Sequence, residues 1–363
     1  MSKLDQLIKE LCPYGVEYKE LGEILKIKNG KDYKQFQEGQ YPVYGSGGII
    51  AYIDHYAYDK SSVLIPRKGS IDKLYYVTEP FWNVDTIFYT EIDETQVLPR
   101  YVYHCLLREH LEKLNTAGGV PSLTQKVLNK VRIPVPPIEV QREIVRILDN
   151  FTELTAELTA ELTARKTQYE YYRHRLIAHE NEISDVLWIP LKDATNSFRG
   201  SYITKKNTIP GNIPVILGGQ EPAYYINRQN HEGEIVCIAR SGASAGFVSY
   251  WNEPIFVTDG FGYEAKAEIT TNRYLFYVLK DMEETLNGMK RGAGVPHVSG
   301  AALGEIKIPF PPLVRQKQIV ETLERFDELA NSISEGLPAE IEARQKQYEY
   351  YRDKLLTFKE KEA

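Results

Sequence analysis

Asp259, Glu264 and Lys266 stand close together in the chain. Two carboxylates and a lysine are the side chains with which a metal-dependent nuclease holds a cation and a phosphate. The plainer reading is a surface strand, since Glu-x-Lys strings are common. Along the internal repeat described below, Asp85 aligns with Asp259, but Ile92 stands in the place of Lys266. No other catalytic constellation is legible. There is no Gly-x-x-x-x-Gly-Lys-Ser/Thr loop and no Gly-x-Gly-x-x-Gly turn. Paired Cys/His metal spacing is missing too, and His174 and His179 fall on a helix without a ligand-rich neighbourhood. The Asn/Asp-Pro-Pro-aromatic signature of amino-methyltransferases is absent. The Pro136-Pro137 and Pro311-Pro312 pairs follow Val135 and Phe310, and read as the end of one element and the start of a helix. The expectation is a chain without catalysis, metal or cofactor, with a nuclease as the minor enzyme alternative.

Basic, glycine-bearing turns are the other polar feature. Arg67-Lys68-Gly69 and Arg240-Ser241-Gly242 each follow a predicted strand. The stretch from Thr116 to Thr124 matches Arg291 to Ser299, with Gly-Val-Pro at the centre of both and Lys290 just before the second. Backbone N–H groups of glycine turns, with Arg, Lys, Ser and Thr side chains, are typical phosphate contacts. The competing reading is turn geometry with an arginine ion pair. The candidate nucleic-acid contacts are Arg67, Lys68, Gly69, Ser122, Thr124, Arg240, Ser241, Lys290, Arg291, His297 and Ser299. Matched positions that differ are where different bases could be read: Lys68 against Ser241, Ser70 against Ala243, Ser122 against His297. A looser set is Gln35, Gln37 and Gln40 against Lys205, Lys206 and Asn207. Arg and Lys suit guanine edges, Asn and Gln suit adenine.

These turns belong to a unit that occurs twice, at residues 1–137 and 181–312. Tyr41-Pro42-Val43 returns as Ile213-Pro214-Val215, Arg100-Tyr101 as Arg273-Tyr274, and Gly30 as Gly200. Short β-branched runs such as Ser62–Pro66, Leu74–Thr78, Ile87–Thr90, Glu234–Ala239 and Ile255–Thr258 predict strands between Gly/Asn/Asp turns. One amphipathic helix per unit follows, near Pro99–Leu114 and Thr271–Leu286. A mixed α+β unit with a twisted sheet is expected.

A long helix follows each unit, at 138–180 and 313–363. In the first, Ile144, Leu148, Phe151, Leu154, Leu158 and Leu162 recur every three or four residues, with no Gly or Pro from Ile138 to Ile177. In the second, Ile319, Leu323, Phe326 and Leu329 repeat the stripe. Both open on Ile-Pro-x-Pro-Pro (Ile133 and Ile308) with a glutamine beyond (Gln141, Gln316), and both close on Gln-Tyr-Glu-Tyr-Tyr-Arg (Gln168, Gln347). The copies differ by four residues inside the helix, the length of one Thr-Ala-Glu-Leu unit, two of which lie at 155–158 and 159–162. A single apolar stripe must be buried against another helix. The two helices can pair antiparallel with each other, or each could seek another chain. Gly336-Leu337-Pro338 predicts a break, with helices near 313–335 and 338–359.

Composition bounds the partners. The 363 residues are 42% apolar and 26% charged, as in a folded globular protein. Three scattered cysteines argue against a disulfide framework and for a reducing, cytoplasmic setting. No apolar run approaches a membrane span. The net charge of −6 sits mainly in the helices: residues 139–183 hold 6 Lys+Arg against 9 Asp+Glu and residues 313–363 hold 9 against 11. That leaves −1 for the rest, which does not exclude a local basic face.

The duplicated Ile-Pro-x-Pro-Pro-x(3)-Gln segments, the helices ending Gln-Tyr-Glu-Tyr-Tyr-Arg, the Thr-Ala-Glu-Leu repeat and the Arg-x-Gly and Gly-Val-Pro turns together resemble the specificity subunit of type I restriction–modification systems. The resemblance covers nearly the whole chain. It implies two pseudo-symmetric α/β target-recognition domains (1–137 and 181–312), each reading half of a split site in double-stranded DNA. It further implies two long antiparallel helices (138–180 and 313–363) forming an intramolecular coiled coil that sets the spacing. Two methyltransferase subunits would dock on the helices, with restriction subunits beyond. Methylation, S-adenosylmethionine binding and ATP-driven cleavage would belong to those partners. The break at Gly336–Pro338 departs from a uniformly continuous second helix. A scaffold that pairs proteins without binding DNA is the remaining alternative.

Overall fold

The computed structural model describes residues 2–115, 122–179, 186–219, 221–292, 294–331 and 336–362, and side chains at 178–179 and 329–331 lie outside the description. Two units emerge: Met1–Thr159 with Glu340–Ala363, and Ala160–Ala339. The division falls inside the long helix, within the second Thr-Ala-Glu-Leu tetrapeptide.

Unit 1 begins with α1 (Lys3–Leu11), whose Ser2 cap and Asp5 form a reciprocal capping box. Then come β1 (Tyr18–Glu20), α2 (Leu21–Ile24), β2 (Leu25–Asn29), β3 (Glu38–Gly45), β4 (Gly48–Ile53), β5 (Ser62–Pro66), β6 (Tyr75–Val77), β7 (Trp82–Asn83) and β8 (Ile87–Ile92). Next are α3 (Pro99–Arg108), α4 (Gln125–Leu128) and β9 (Arg132–Pro134), leading into α5 (Ile138–His179). The strands form three small sheets, β2-β8-β5-β6, β4-β3-β7 and β1-β9. The expected helix to Leu114 stops at Arg108, because His110 adopts a left-handed conformation (φ 49°) that an α-helix cannot contain. Val63, Leu64 and Ile65 of β5 are fully buried, as are Tyr101, Val102 and Cys105 of α3.

Unit 2 starts within α5 and repeats the plan. It has β10 (Leu187–Pro190), α6 (Leu191–Ala194), β11 (Thr195–Arg199), β12 (Ile213–Ile216), β13 (Tyr224–Ile226), β14 (Ile235–Ala239), β15 (Val248–Trp251), β16 (Phe256–Val257) and β17 (Gly260–Ala265). There follow α7 (Asn272–Asp281), α8 (Glu283–Gly288), α9 (Gly300–Gly304), β18 (Lys307–Phe310) and α10 (Leu313–Asn331). Its sheets, β11-β17-β14-β15, β13-β12-β16 and β10-β18, match those of unit 1 strand for strand. The last helix, α11 (Leu337–Leu355), follows Gly336, whose φ of 123° is open to glycine alone. Residues 332–335, at the end of the first predicted helix there, lie outside the described residues.

Matched side chains tie each unit to its helices. Gln141 and Gln316 are fully buried. Gln141 accepts from Leu98 N–H and donates to the carbonyls of Gln96 and Pro136; Gln316 donates to those of Ile269 and Pro311 and accepts from the Thr270 hydroxyl. Arg100 grips Asp149 and Arg273 grips Glu324, both at 2.8 Å. The Tyr101 and Tyr274 hydroxyls donate to Pro134 and Pro309 carbonyls, both at 3.1 Å. Ile144 and Leu148 are buried in the core of unit 1, and Ile319 and Leu323 in that of unit 2. Phe151 stacks on Tyr351 (5.3 Å) in unit 1, and Phe326 on Tyr172 (5.7 Å) in unit 2. As α5 advances from 151 to 172 its partner falls from 351 to 326, the order of an antiparallel pairing. Leu154, Leu158 and Leu162 are half-buried, and the Leu329 side chain lies outside the description. The fold is α+β, with two copies of one unit and long helices that pair within the chain.

Candidate nucleic-acid interface

In both units the turn after the central strand meets the second glycine-bearing loop. After β5, the Arg67 carbonyl accepts from Leu123 N–H at 2.9 Å, and Lys68 lies opposite Ser122 in an antiparallel bridge. After β14, the Arg240 carbonyl accepts from Val298 N–H at 2.9 Å, and Ser241 lies opposite His297. Gly69 (φ 75°) and Gly242 (φ 77°) make the same left-handed turn. Arg291 and His297 exchange both backbone hydrogen bonds, at 3.0 and 2.9 Å, so the second loop of unit 2 is a tight hairpin. Lys290 Nζ donates to the Ala243 carbonyl at 2.8 Å and joins the two loops. Residues 116–121 and Ala293 of these loops lie outside the described residues.

A third loop joins them. In unit 1 the β3–β4 tip brings the Ser46 hydroxyl to 3.5 Å from where a Cβ on Gly69 would stand, and Tyr75 donates to the Ser46 carbonyl. In unit 2 the three loops border a cleft of about 290 Å³, with Leu217 and Gly218 on one side, Ser241 and Ser244 on another, and Val295 and Asp259 closing it. Lys68, Gly69, Arg291 and His297 are exposed, while Arg67, Ser122, Arg240, Ser241 and Lys290 are half-buried. Thr124 caps α4 by accepting from Val127 N–H, and Ser299 precedes α9 at the capping position. Paired glycine-bearing turns with hydroxyls and cations thus occur in both units, and such groups are suited to phosphates and base edges.

The ladders correct the alignment of the two copies. Val43 pairs with Trp82 as Val215 pairs with Phe256, whereas Ile65 pairs with Phe88 as Ile238 pairs with Phe261. Unit 1 therefore holds one more residue between these strands, 83–87 against 257–260. Arg67 N–H donates to Thr86 where Arg240 N–H donates to Asp259, so Thr86 and not Asp85 takes the place of Asp259. Asp93 likewise stands where Lys266 does: their N–H groups donate to the matched carbonyls of Ile24 and Ala194.

The nuclease set does not assemble. Asp259 is held by Arg240 at 3.2 Å, and Lys266 Nζ donates to the Asp193 carbonyl at 2.8 Å. Glu264 lies 4.0 Å from His231, and the five residues from Asp259 span roughly 16 Å of extended strand. Among the described residues no group of His, Cys, Asp and Glu could hold a metal ion. His174 lies 3.0 Å from Asp281. Cys12, Cys105 and Cys237 are free and buried, and burial pushes the Cys105 and Cys237 thiols up to about 12. Among the described residues no helix is long and apolar enough to cross a membrane.

Known proteins agree with this architecture. The sequence profile of the type I restriction modification DNA specificity domain matches twice, at residues 13–165 and 184–343. The Escherichia coli type I restriction enzyme EcoR124I/EcoR124II specificity subunit is 32% identical over 99% of this chain and 98% of its own length. The E. coli EcoprrI specificity subunit is 28% identical over 92% of this chain and 93% of its own. The crystal structure of a type I restriction–modification S subunit from M. genitalium superposes with a TM-score of 0.61 at 19% identity, covering 94% of this chain and 96% of that one. With the family profile spanning both copies and a relative matched along nearly its whole length, the chain belongs to the type I restriction–modification DNA specificity family.

Proposed function

We propose that this chain sets the split DNA target of a type I restriction–modification complex. Each unit reads one half-site in duplex DNA, and the helical spacer fixes the gap. The observation that carries this is the meeting, in both units, of a cation-bearing glycine turn with a second glycine loop on one face. The chain is a specificity subunit without catalysis of its own; methylation and ATP-dependent cleavage belong to partner subunits. Residues 1–137 and 181–312 serve as the two target-recognition domains. Residues 138–180 and 313–363 serve as the spacer, on which two methyltransferase subunits dock, with restriction subunits beyond. The setting is cytoplasmic.

The test is co-expression with the methyltransferase subunit of the same system and genome-wide mapping of methylated adenines by single-molecule sequencing. A split motif with a fixed gap, lost when this chain is omitted, is the expected result. No new methylation from an assembled complex would leave a helical scaffold as the better reading. Duplex binding that weakens steeply with salt is the accompanying expectation, because phosphate contacts release counterions.

A further inference from the structure

The two units set an arginine at the same corner and compensate it differently. Arg67 and Arg240 have matched backbone partners: their N–H groups donate to Thr86 (2.9 Å) and Asp259 (3.1 Å), and their carbonyls accept from Leu123 and Val298. In unit 2 the residue at that corner is acidic, and its carboxylate holds the Arg240 guanidinium at 3.2 Å. In unit 1 the extra residue brings Thr86 there and leaves Asp85 69% exposed, 3.9 Å from Lys68. Among the described residues the Arg67 guanidinium meets the Asn29 side-chain oxygen at 3.4 Å and the face of Phe88 at 5.1 Å. Its Nε is buried without a hydrogen-bond partner, and among the described residues no carboxylate pairs with it. The next position adds to the contrast, with an exposed Lys68 in unit 1 and Ser241 in unit 2.

A guanidinium already engaged by a carboxylate has less of its fork to offer a base, and its charge is cancelled. One laid on an aromatic face and free of a counter-ion is pre-oriented to donate. We propose that unit 1 reads a guanine edge through Arg67 and Lys68, and that Asp259 withholds the same chemistry from Arg240 in unit 2. This rests on the specificity reading above. Guanine O6 and N7 accept as phosphate oxygens do, and the two sources leave different traces. Loss of a base contact relaxes one position, whereas loss of a phosphate contact weakens all sites alike.

The experiment uses the full chain in complex with its methyltransferase subunits, with methylated adenines mapped for each variant. Lys68→Ser installs the residue that unit 2 carries, and Thr86→Asp supplies the missing counter-ion to Arg67. Both are expected to relax one guanine position of one half-site by about ten- to a hundredfold, leaving the other half-site and the gap unchanged. Asp259→Thr, the reciprocal change, is expected to alter preference at one position of the other half-site only. A uniform fall at every site with an unchanged motif would assign these cations to phosphates and overturn the proposal. So would a motif and level identical to wild type. Lys68→Ala, at an exposed position, repeats the test should Thr86→Asp not fold. If the wild-type complex itself yields no split motif, the specificity reading fails, a result distinct from variants that leave an existing motif untouched.

Discussion

Replacing Gln141 by leucine tests whether the glutamine of the Ile-Pro-x-Pro-Pro motif locks the recognition fold to its helix. The side chain is fully buried and makes three hydrogen bonds, at 2.9 Å from Leu98 N–H, 2.9 Å to the Gln96 carbonyl and 2.7 Å to the Pro136 carbonyl. Leucine fills similar space but strands one donor and two acceptors. A buried polar group without a partner costs about 1–3 kcal/mol. After a partial offset from the added apolar burial, a net loss of roughly 3–5 kcal/mol is expected. For a unit of this size that is a fall in melting temperature on the order of 10 °C. The effect is local, because the bonds lie within unit 1. Calorimetry with peptide-resolved hydrogen exchange is the assay: β9 and α3 should lose protection while β14 and α7 keep theirs. Gln316→Leu should do the reverse, somewhat less severely, since the Thr270 hydroxyl can rotate towards another acceptor. A loss under about 1 kcal/mol, or equal loosening of both units by either variant, would refute the locking argument.

Three further outcomes follow from the geometry. Burial holds His104 below its usual value despite its contact with Asp149, so it is neutral in the fold. Its stabilising contribution is complete above about pH 6.5 and is lost as the pH falls, because the unfolded chain takes up the proton first. Tyr277 occupies the matched place in unit 2, so acid should loosen unit 1 before unit 2, and hydrogen exchange at pH 7.5 and 5.5 with a His104→Gln control checks it. A Cβ on Gly30 would meet the Val84 carbonyl at 2.1 Å and one on Gly200 the Thr258 carbonyl at 2.5 Å. Alanine at either should cost about 1–3 kcal/mol in urea unfolding, since backbone and not a side chain must yield. One added Thr-Ala-Glu-Leu tetrapeptide lengthens a helix by ~6 Å, so it should widen the unread gap by about one or two base pairs with both half-sites unchanged. Methylation of the original motif by the insertion variant would sink the spacer reading.

The repeats legible in sequence were those with a physical reason to be identical. Gly30 and Gly200 recur because carbonyls crowd the place of a side chain, and Gln141 and Gln316 because each satisfies the backbone at a helix start. Tyr101 and Tyr274 recur because each ties its own helix, α3 or α7, to the strand before the long helix. That each unit carries both glycine loops was legible for the same reason; that the loops meet comes from the bridges Lys68–Ser122 and Ser241–His297. The stripe through Ile144, Leu148, Ile319 and Leu323 pointed to burial against another helix, whereas these residues lie in the hydrophobic cores of the two units.

What stayed hidden rests on backbone geometry without a side-chain pattern. Aligned by residue type, Asp85 falls on Asp259, because both follow a Glu-Pro pair in a short loop. Only the strand ladders reveal the extra residue, and with it the fact that the carboxylate facing Arg240 has no equivalent at Arg67. The end of the chain is a second case. Beyond α11, Val16 N–H donates to the Lys359 carbonyl and Lys361 N–H to the Val16 carbonyl, and Arg132 pairs with Glu360. The tail reads as an ordinary charged helix end, since main-chain bonds to a single strand-like residue leave no apolar periodicity. The same absence explains why one apparent acidic repeat conceals two arginine corners with different acidic partners. One added residue takes the carboxylate from the arginine to Lys68, 3.9 Å away, and leaves Arg67 without an acidic partner among the described residues, while the composition of the loop barely changes.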